Sequence, residues 1–333
     1  MTIFLDTNVV PYKSGISIRF ETIQVLAQEC SQDIAIPELV LRESVAHRQR
    51  EIEDAFGTLR RAYEKARIYL NGIAEPNLPC SKDLAESWCC NLKEKVKIIE
   101  TPKNAFEEGI FREIQRIRPT REGRGARDAV IWLTIKQAHF LSDSVNYFVS
   151  ENIKDFASSD KNTLHEDLKM EIIEHPIPLI YCNSLDSLLK KIANEVKPGI
   201  DITEQLINSS DNLQEALRRA IRDNLIIREM FPALPLGKEY ISSIITPSLY
   251  KVKSSATYRI GERNVVVAEI NCNASFTIGV LQQSSGGGFL TLQYPADLSL
   301  YIRFWMRFEN QEELPVKAEV SYINIANNTL LIY

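Results

Sequence analysis

Residues 1–10 read MTIFLDTNVV. The run from Thr2 to Leu5 is short and apolar, and it ends on Asp6. An unbroken apolar run of this length reads as a strand covered on both faces, the kind that lies inside a parallel sheet. Residues 33–36, DIAI, repeat the signature. Between them, Ile18 to Cys30 places Ile23, Leu26 and Ala27 on one face of a helix. Strand, helix and strand in this order predict a βαβ unit.

The same alternation continues outward. Pro37 opens a long helical pattern, in which Ile52, Ala55, Phe56, Leu59, Ala62, Tyr63 and Ala66 recur at three and four residues as far as about Leu70. GIAEPNLP breaks it, and a helix is expected over 81–95. Residues 96–100 (VKIIE) read as a third strand. Helical spacing returns over 104–118 through Phe106, Ile110, Phe111, Ile114 and Ile117. After the turn glycines Gly123 and Gly125, DAVIWLTIKQAH starts a helix at Asp128. Residues 146–150 (NYFVS) and 178–182 (PLIYC) are the fourth and fifth strands.

The pattern then changes. Residues 184–230 are helical through Leu185, Leu188, Leu189 and Ile192, then Leu213, Ala216, Leu217, Ala220 and Ile221, with Pro198 and Gly199 between the two parts. Past Phe231, Pro232 and Pro235 the text becomes β-like at 258–260, 265–270, 275–281, 290–294, 298–308, 318–325 and 330–333, with a Gly-rich turn, SSGGGF. The expected division is 1–182 as an α/β domain, 183–236 as a helical linker and 237–333 as an all-β, sandwich-like domain. The aromatic run Tyr294–Phe308 reads as core of that β domain, whose role could be assembly, signal sensing or partner binding.

The chain has 333 residues and a formal charge of −5, from 39 basic and 44 acidic side chains. This balance argues against a generally basic nucleic-acid binder and leaves room for a local basic patch. Cys30, Cys80, Cys89, Cys90, Cys182 and Cys272 form no CxxC, and no histidine pair has i, i+4 spacing, so no zinc site is expected and a reduced compartment fits. Cys89 and Cys90 read as an ordinary buried pair. No apolar run reaches the roughly 18 residues that span a bilayer. The N-terminus has an acid where a signal peptide carries a basic leader. The expectation is a cytoplasmic protein with no membrane partner.

The acids fall at telling places. Asp6 ends the first strand, Glu43 lies one or two turns into the helix after the second, Asp128 starts the helix before the fourth, and Asp155 follows the fourth in SENIKDF. In an open parallel sheet ligands collect beyond the carboxyl ends of the strands, where these four would converge. Carboxylates so gathered repel unless cations neutralise them, and hard oxygen ligands suit Mg²⁺ or Mn²⁺. For a single acid such as Asp128 the alternative is a favourable helix start.

FLDTNVV, PELVLRES, GARDAVIW and FVSENIKDF resemble, in order, the four acidic motifs of PIN-domain nucleases. The resemblance covers about residues 1–182, and the insertion at 70–95 is similar to the large bacterial PIN-like type, here with an added C-terminal β domain. It implies a three-layer sandwich around a five-stranded parallel sheet and Mg²⁺- or Mn²⁺-dependent hydrolysis of RNA or, less often, of DNA structures. Residue by residue it makes Asp6, Glu43 and Asp128 catalytic, metal-binding acids; for the fourth the motif offers Glu151, Asn152 and Asp155, of which Asp155 is the choice, with Asn152 as its helper. Thr7, Asn8, Glu151 and Asn152 support them.

A polyanion must still reach an acidic site. Residues 111–127 hold Arg112, Arg116, Arg118, Arg121, Arg124 and Arg127 against Glu113 and Glu122, a rim suited to phosphates. Arg48, Arg50, Arg60, Arg61, Lys65 and Arg67 form a second basic stretch; paired with Glu51, Glu53, Asp54 and Glu64, it also reads as a solvated helix face. Tyr63, Tyr69 and Trp88 are candidates for base stacking, while Trp132 reads as core. The function expected is a metal-dependent endoribonuclease acting on single-stranded or structured RNA, as a toxin or defence effector or in RNA processing. Its further partners would be a regulatory protein and a second copy of the chain. The alternatives are a catalytically idle PIN fold serving as a nucleic-acid or protein-binding scaffold, and a structure-specific DNA nuclease.

Overall fold

The computed structural model describes residues 1–11, 18–69, 75, 77–197, 199–224, 238–260, 262–283, 289–309, 315–325 and 331–332. The opening apolar run forms β1 (Thr2–Leu5), in which Ile3 and Leu5 are fully buried. The helix α1 (Ile18–Glu29) carries the chain back to β2 (Asp33–Pro37), which pairs parallel to β1 from Thr2 opposite Asp33. The helices α2 (Glu38–Arg67) and α3 (Ser81–Lys93) lead to β3 (Lys97–Ile99), parallel to β2. The chain then crosses through α4 (Ala105–Gln115) and α5 (Ala126–Phe140) to β4 (Asn146–Val149), on the other side of β1. The short helices α6 (Ile153–Phe156) and α7 (Glu166–Met170) precede β5 (Leu179–Cys182), and α8 (Leu185–Ile192) follows it.

The strand order is β3-β2-β1-β4-β5, all parallel. The chain winds one way from β1 and resumes on the opposite side with β4, so the topological switch point lies between these two strands. All five strands expected from the sequence are present, with ends shifted by a residue or so, and the α/β, three-layer class holds. Buried Phe4, Ile36, Trp132, Phe148 and Phe156 fill the core.

The chain divides into two compact units, Met1–Ile192 and Ala193–Tyr333. This division cuts the helical stretch expected as one linker: α8 packs on β4 and β5, whereas α9 (Glu204–Ser209) and α10 (Asp211–Asn224) belong to the second unit. The second unit also holds β6 (Asn194–Glu195), β7 (Lys238–Ile260), β8 (Arg263–Gln283), β9 (Phe289–Phe308), β10 (Lys317–Ile325) and β11 (Leu331–Ile332). Among the described residues these form an antiparallel sheet in the order β10-β9-β8-β7-β6, with β11 also on β9.

The expected sandwich of about seven short strands is therefore corrected to one sheet of long strands. The polar breaks that suggested turns are taken up in the ladder: Asn271 pairs with Tyr301, Asn273 with Ser299, and Thr277 with Pro295. Pro247 falls in a register shift between Ile245 and Leu249, where a missing N–H costs no ladder bond. Phe231, Pro232, Pro235, Pro198 and residues 284–288 of the Gly-rich turn lie outside the described residues. Cys89 is half-buried and Cys90 exposed, so they are not a buried pair. No described helix is long and apolar enough to cross a membrane.

Candidate active site

The site grows from the switch point. Asp6 follows β1, and its N–H still bonds the Val149 carbonyl at 3.0 Å, so the residue one step past β4, Ser150, stands beside it. Asp6 is 3% exposed. Its Oδ1 accepts the Thr7 N–H at 2.7 Å, which makes it the cap of a 3₁₀ turn over Thr7–Val9. Its Oδ2 accepts from Ser150 Oγ at 2.6 Å and from Asn8 Nδ2 at 3.2 Å. Burial pushes the Asp6 carboxyl up to about 6, with Glu43 adding to the rise, against the pull of the Ser150, Thr7 and Asn8 donors.

Glu43 comes from the second turn of α2. Its Oε2 accepts from Thr7 Oγ1 at 2.6 Å and its Oε1 from Arg127 Nη1 at 2.8 Å. Asp128 is the third residue of α5. Gly125 caps that helix with φ of 101°, and a Cβ there would meet Asp128 Oδ2 at 2.9 Å, so only glycine permits this close entry. Burial, and then the charges of Asp6, Asp155 and Glu43, push the Asp128 carboxyl up to about 7; Arg127 works in the opposite direction. Among the described residues no hydrogen bond reaches the carboxylates of Asp128 or Asp155.

Asp6, Thr7, Asn8, Glu43, His47, Arg127 and Asp128 line one cavity of about 210 Å³. Asp155, half-buried on α6, does not line this cavity but is near enough to raise Asp128 by its charge. Asn8 is a bracket: its amide donates to Asp6, and its carbonyl oxygen accepts the Glu151 N–H at 3.1 Å. Glu151 itself is exposed. The Asn152 N–H donates to Ser150 Oγ at 3.1 Å. Among the described residues no three His, Cys, Asp or Glu side chains close on a point as ligands of one ion. The donor chemistry nevertheless suits a hard divalent cation in kind: Asp6, Glu43, Asp128 and Asp155 are carboxylates, Asp128 and Asp155 have no hydrogen bond among the described residues, and burial and neighbouring acids raise Asp6 and Asp128.

Three lining or supporting residues escaped the sequence reading. Ser150 becomes legible only once β1 is known to pair with β4. His47 lies one turn after Glu43 on α2, a spacing that was available. Tyr181 Oη donates to the Ser150 carbonyl at 2.7 Å from β5, which no local pattern signals.

The arginine rim needs correction. Arg112 is 6% exposed and makes a two-pronged bond to Glu171 at 2.8 and 2.9 Å, with further bonds to Glu108 and the Arg118 carbonyl. It is an internal strut, because the guanidinium is buried and its donors are spent on acceptors of the same unit. Arg118 Nη1 donates to the Lys154 and Asp155 carbonyls at 3.0 and 3.1 Å, so it braces the segment that carries Asp155. Arg116, Arg121, Arg124 and Arg127 are exposed. On α2, Arg67 pairs with Glu64 at 3.6 Å and Arg48 with Glu51 at 3.9 Å, as a solvated face does. Tyr69 is exposed, Tyr63 and Trp88 are half-buried, and Trp132 is core, donating its indole N–H to Glu171 at 3.2 Å.

Comparison with known proteins bears on the first unit. The PIN domain family model matches residues 3–156. No curated protein matches the chain. Among solved structures, a chain from the crystal structure of VapBC2 from Rickettsia felis bound to a DNA fragment from their promoter is similar at 14% identity, over 54% of this chain and 98% of that one, with a TM-score of 0.27.

Proposed function

We propose that the PIN domain at residues 3–156 is a metal-dependent endoribonuclease whose working residues surround the Asp6–Glu43–Asp128 cavity. PIN domains are in general nucleases that depend on divalent metal ions. The observation that carries the reading for this chain is the pair of raised carboxyls. Asp6 and Asp128 share a cavity with Glu43; burial raises both, Glu43 adds to the rise of each, and Asp6 adds to that of Asp128. Such a cluster is expensive for a fold and is the usual mark of a functional site.

Asp6, Glu43, Asp128 and Asp155 would hold Mg²⁺ or Mn²⁺. When bound, such an ion supplies Lewis acidity, lowering the pKa of a water and offsetting charge on the phosphodiester. The chain's own residues prepare the site. Ser150, Asn8 and the Thr7 N–H hold Asp6 in one rotamer, and the Thr7 hydroxyl does the same for Glu43. Arg127 balances Glu43 now, and its exposed guanidinium can turn to a substrate phosphate. Arg116, Arg121 and Arg124 extend a positive approach to the cavity, and RNA, single-stranded or structured, is the polymer this reading assigns to it. A regulatory protein is the partner expected to restrain the activity.

The test is to incubate the purified full chain with labelled single-stranded RNA, single-stranded DNA and duplexes, with Mg²⁺, Mn²⁺ or EDTA. RNA cleavage with either ion and none with EDTA is the expected result. Binding without cleavage under every condition would replace this reading with that of a scaffold.

A further inference from the structure

His47 lies one turn after Glu43 on α2, so the two side chains share a face of the helix and line the same cavity. The ring is half-buried. Its Nδ1 lies 2.9 Å from Nη2 of Arg50, three residues further along. A guanidinium has five donors and no acceptor, so in this contact Nδ1 accepts. An Nδ1 that accepts carries no hydrogen, and the ring is then the neutral tautomer with its hydrogen on Nε2. Thr7 and Asn8 spend their side-chain donors on Glu43 and Asp6. His47 is oriented instead by a cation, and that cation decides which ring nitrogen donates.

We propose that His47 reads the sugar of the substrate: its Nε2–H donates to the 2′ oxygen of a ribose beside the scissile phosphate and so favours RNA over DNA. The inference rests on the reading of the cavity as the place where RNA is cut. The chemistry of the wall selects the sugar rather than the phosphate. Hydrogen bonds to a phosphate gain most from a charged donor, and with Nδ1 turned to Arg50 the ring has no charge to offer. The cavity has a cationic donor of its own in Arg127, which lines it and is exposed. Distance points the same way. Residues four apart on a helix have their Cβ atoms roughly 5–6 Å apart, so His47 is set one step aside from Glu43 and the acids that would surround the phosphate. A ribose next to that phosphate is the part of the strand that reaches such a place, and its 2′-hydroxyl is the group DNA lacks. A site that supplies a donor for a substrate hydroxyl rejects the analogue without it.

The test crosses proteins with substrates, so that only the contact between them is scored. The substrates are a labelled RNA strand and the same strand with a single 2′-deoxy nucleotide, placed on one side or the other of the mapped cut. The full wild-type chain should cleave the all-ribose strand about 5–10-fold faster than one of the two deoxy strands, as loss of one hydrogen bond does. His47→Ala should bring that ratio close to one. His47→Gln, whose amide nitrogen falls near the place of Nε2, should keep most of it. His47→Asn, whose amide nitrogen falls near Nδ1, should not. Arg50→Ala releases the ring and should narrow the ratio less than His47→Ala does.

Fluorescence anisotropy in an Asp6→Asn background, with all-RNA and all-DNA strands of one sequence, reads the same preference in dissociation constants without cleavage. A chain that binds RNA but never cuts it, and loses its preference for RNA with His47→Ala, ends the nuclease reading and leaves the sugar contact standing. The proposal is overturned by a wild-type chain indifferent to both deoxy substitutions, and by a His47→Ala chain that retains the wild-type ratio. A loss that falls equally on ribose and deoxyribose strands overturns it too, since His47 would then be a phosphate grip. So does a chain that neither cuts nor binds RNA.

Discussion

Two acidic clusters in the first unit use the same side-chain chemistry to opposite ends. Glu171 is largely buried, which by itself would raise its carboxyl. Arg112, Lys136 at 3.0 Å and the Trp132 indole surround it with donors, and the guanidinium and ammonium hold it below the ordinary carboxylate value. Asp6 is buried and Asp128 half-buried, yet their neighbours are other acids, and both are pushed up, to about 6 and about 7. In the second unit Glu269 repeats the Glu171 solution, with Tyr301, Ser254 and Arg303 lowering it against burial. A chain that can satisfy two half-buried acids so fully has left one cavity unbalanced. Local cost without local compensation is what separates a working site from a structural pair.

The largest effect should come from removing charge at the cavity. Asp6→Asn keeps the shape and should reduce RNA cleavage by more than the roughly 10–100-fold that changes in supporting residues cost. Ser150→Ala, which only unties Asp6 Oδ2, should fall inside that range. Steady-state cleavage with saturating Mg²⁺ or Mn²⁺ ranks the two, and an Asp6→Asn chain with full activity would sink the mechanism. At the other cluster the loss should appear in folding. Arg112→Ala leaves Glu171 with fewer donors and should destabilise the first unit by about 2–4 kcal/mol. Denaturant unfolding measures it, and an unchanged midpoint would mean that the strut is idle.

The two clusters should also differ in how stability follows pH. A carboxyl whose folded pKa is raised favours the fold while it is protonated. For Asp128 that contribution is whole below its ordinary value of 3.8 and is lost as pH rises through about 7. Without cations, then, Asp128 weakens the fold most at alkaline pH. Asp128→Asn should raise Tm at pH 8 in EDTA, by about 2–4 °C for each kcal/mol relieved, and by much less at pH 5. Added Mg²⁺ should raise the wild-type Tm and narrow the gap. An equal Tm gain at both pH values would show that charge repulsion is not the cause. Glu171 runs the other way: its contribution is present at neutral pH and fades as pH falls through the acid range.

The sequence made the parallel sheet legible because its strands are short apolar runs separated by helical spacing, and Asp6 stands where such a run stops. It made Glu43, Asp128 and Asp155 legible by position, since each opens or follows an element at the same sheet edge. Ser150 was hidden because its role depends on which strands are neighbours. Arg112 was misread because arginine density cannot tell a rim from a strut; only the acid it faces, 59 positions away, decides. For α4 the periodicity predicts a helix and not which side is inward; Gly109 and Ala105 were the available signal. The antiparallel sheet was misread for a related reason. Asn271, Asn273 and Pro295 look like turn residues until the partner strand shows them paired.

The smallest expected effect divides the arginines themselves. Arg112 and Arg118 spend their donors inside the fold, while Arg121 and Arg124 are exposed, the latter against Glu122 at 3.1 Å. If the exposed pair grips phosphates, each contact releases counterions, and log affinity falls with log salt by about 0.7 per contact on a single strand. Fluorescence anisotropy with a labelled RNA oligonucleotide, in an Asp6→Asn background so that nothing is cut, gives the slope. Arg121→Ala with Arg124→Ala should flatten it by about 1.4. Adding Arg127→Ala asks a sharper question. Its Nη1 lies 2.8 Å from Glu43, so a further flattening of about 0.7 means that it leaves the acid for the substrate. No further change means that it stays on Glu43. Arg112→Ala should leave the slope alone while the fold weakens. A slope that ignores Arg121 and Arg124 would make them a solvated loop, and the RNA would have to approach the cavity from elsewhere.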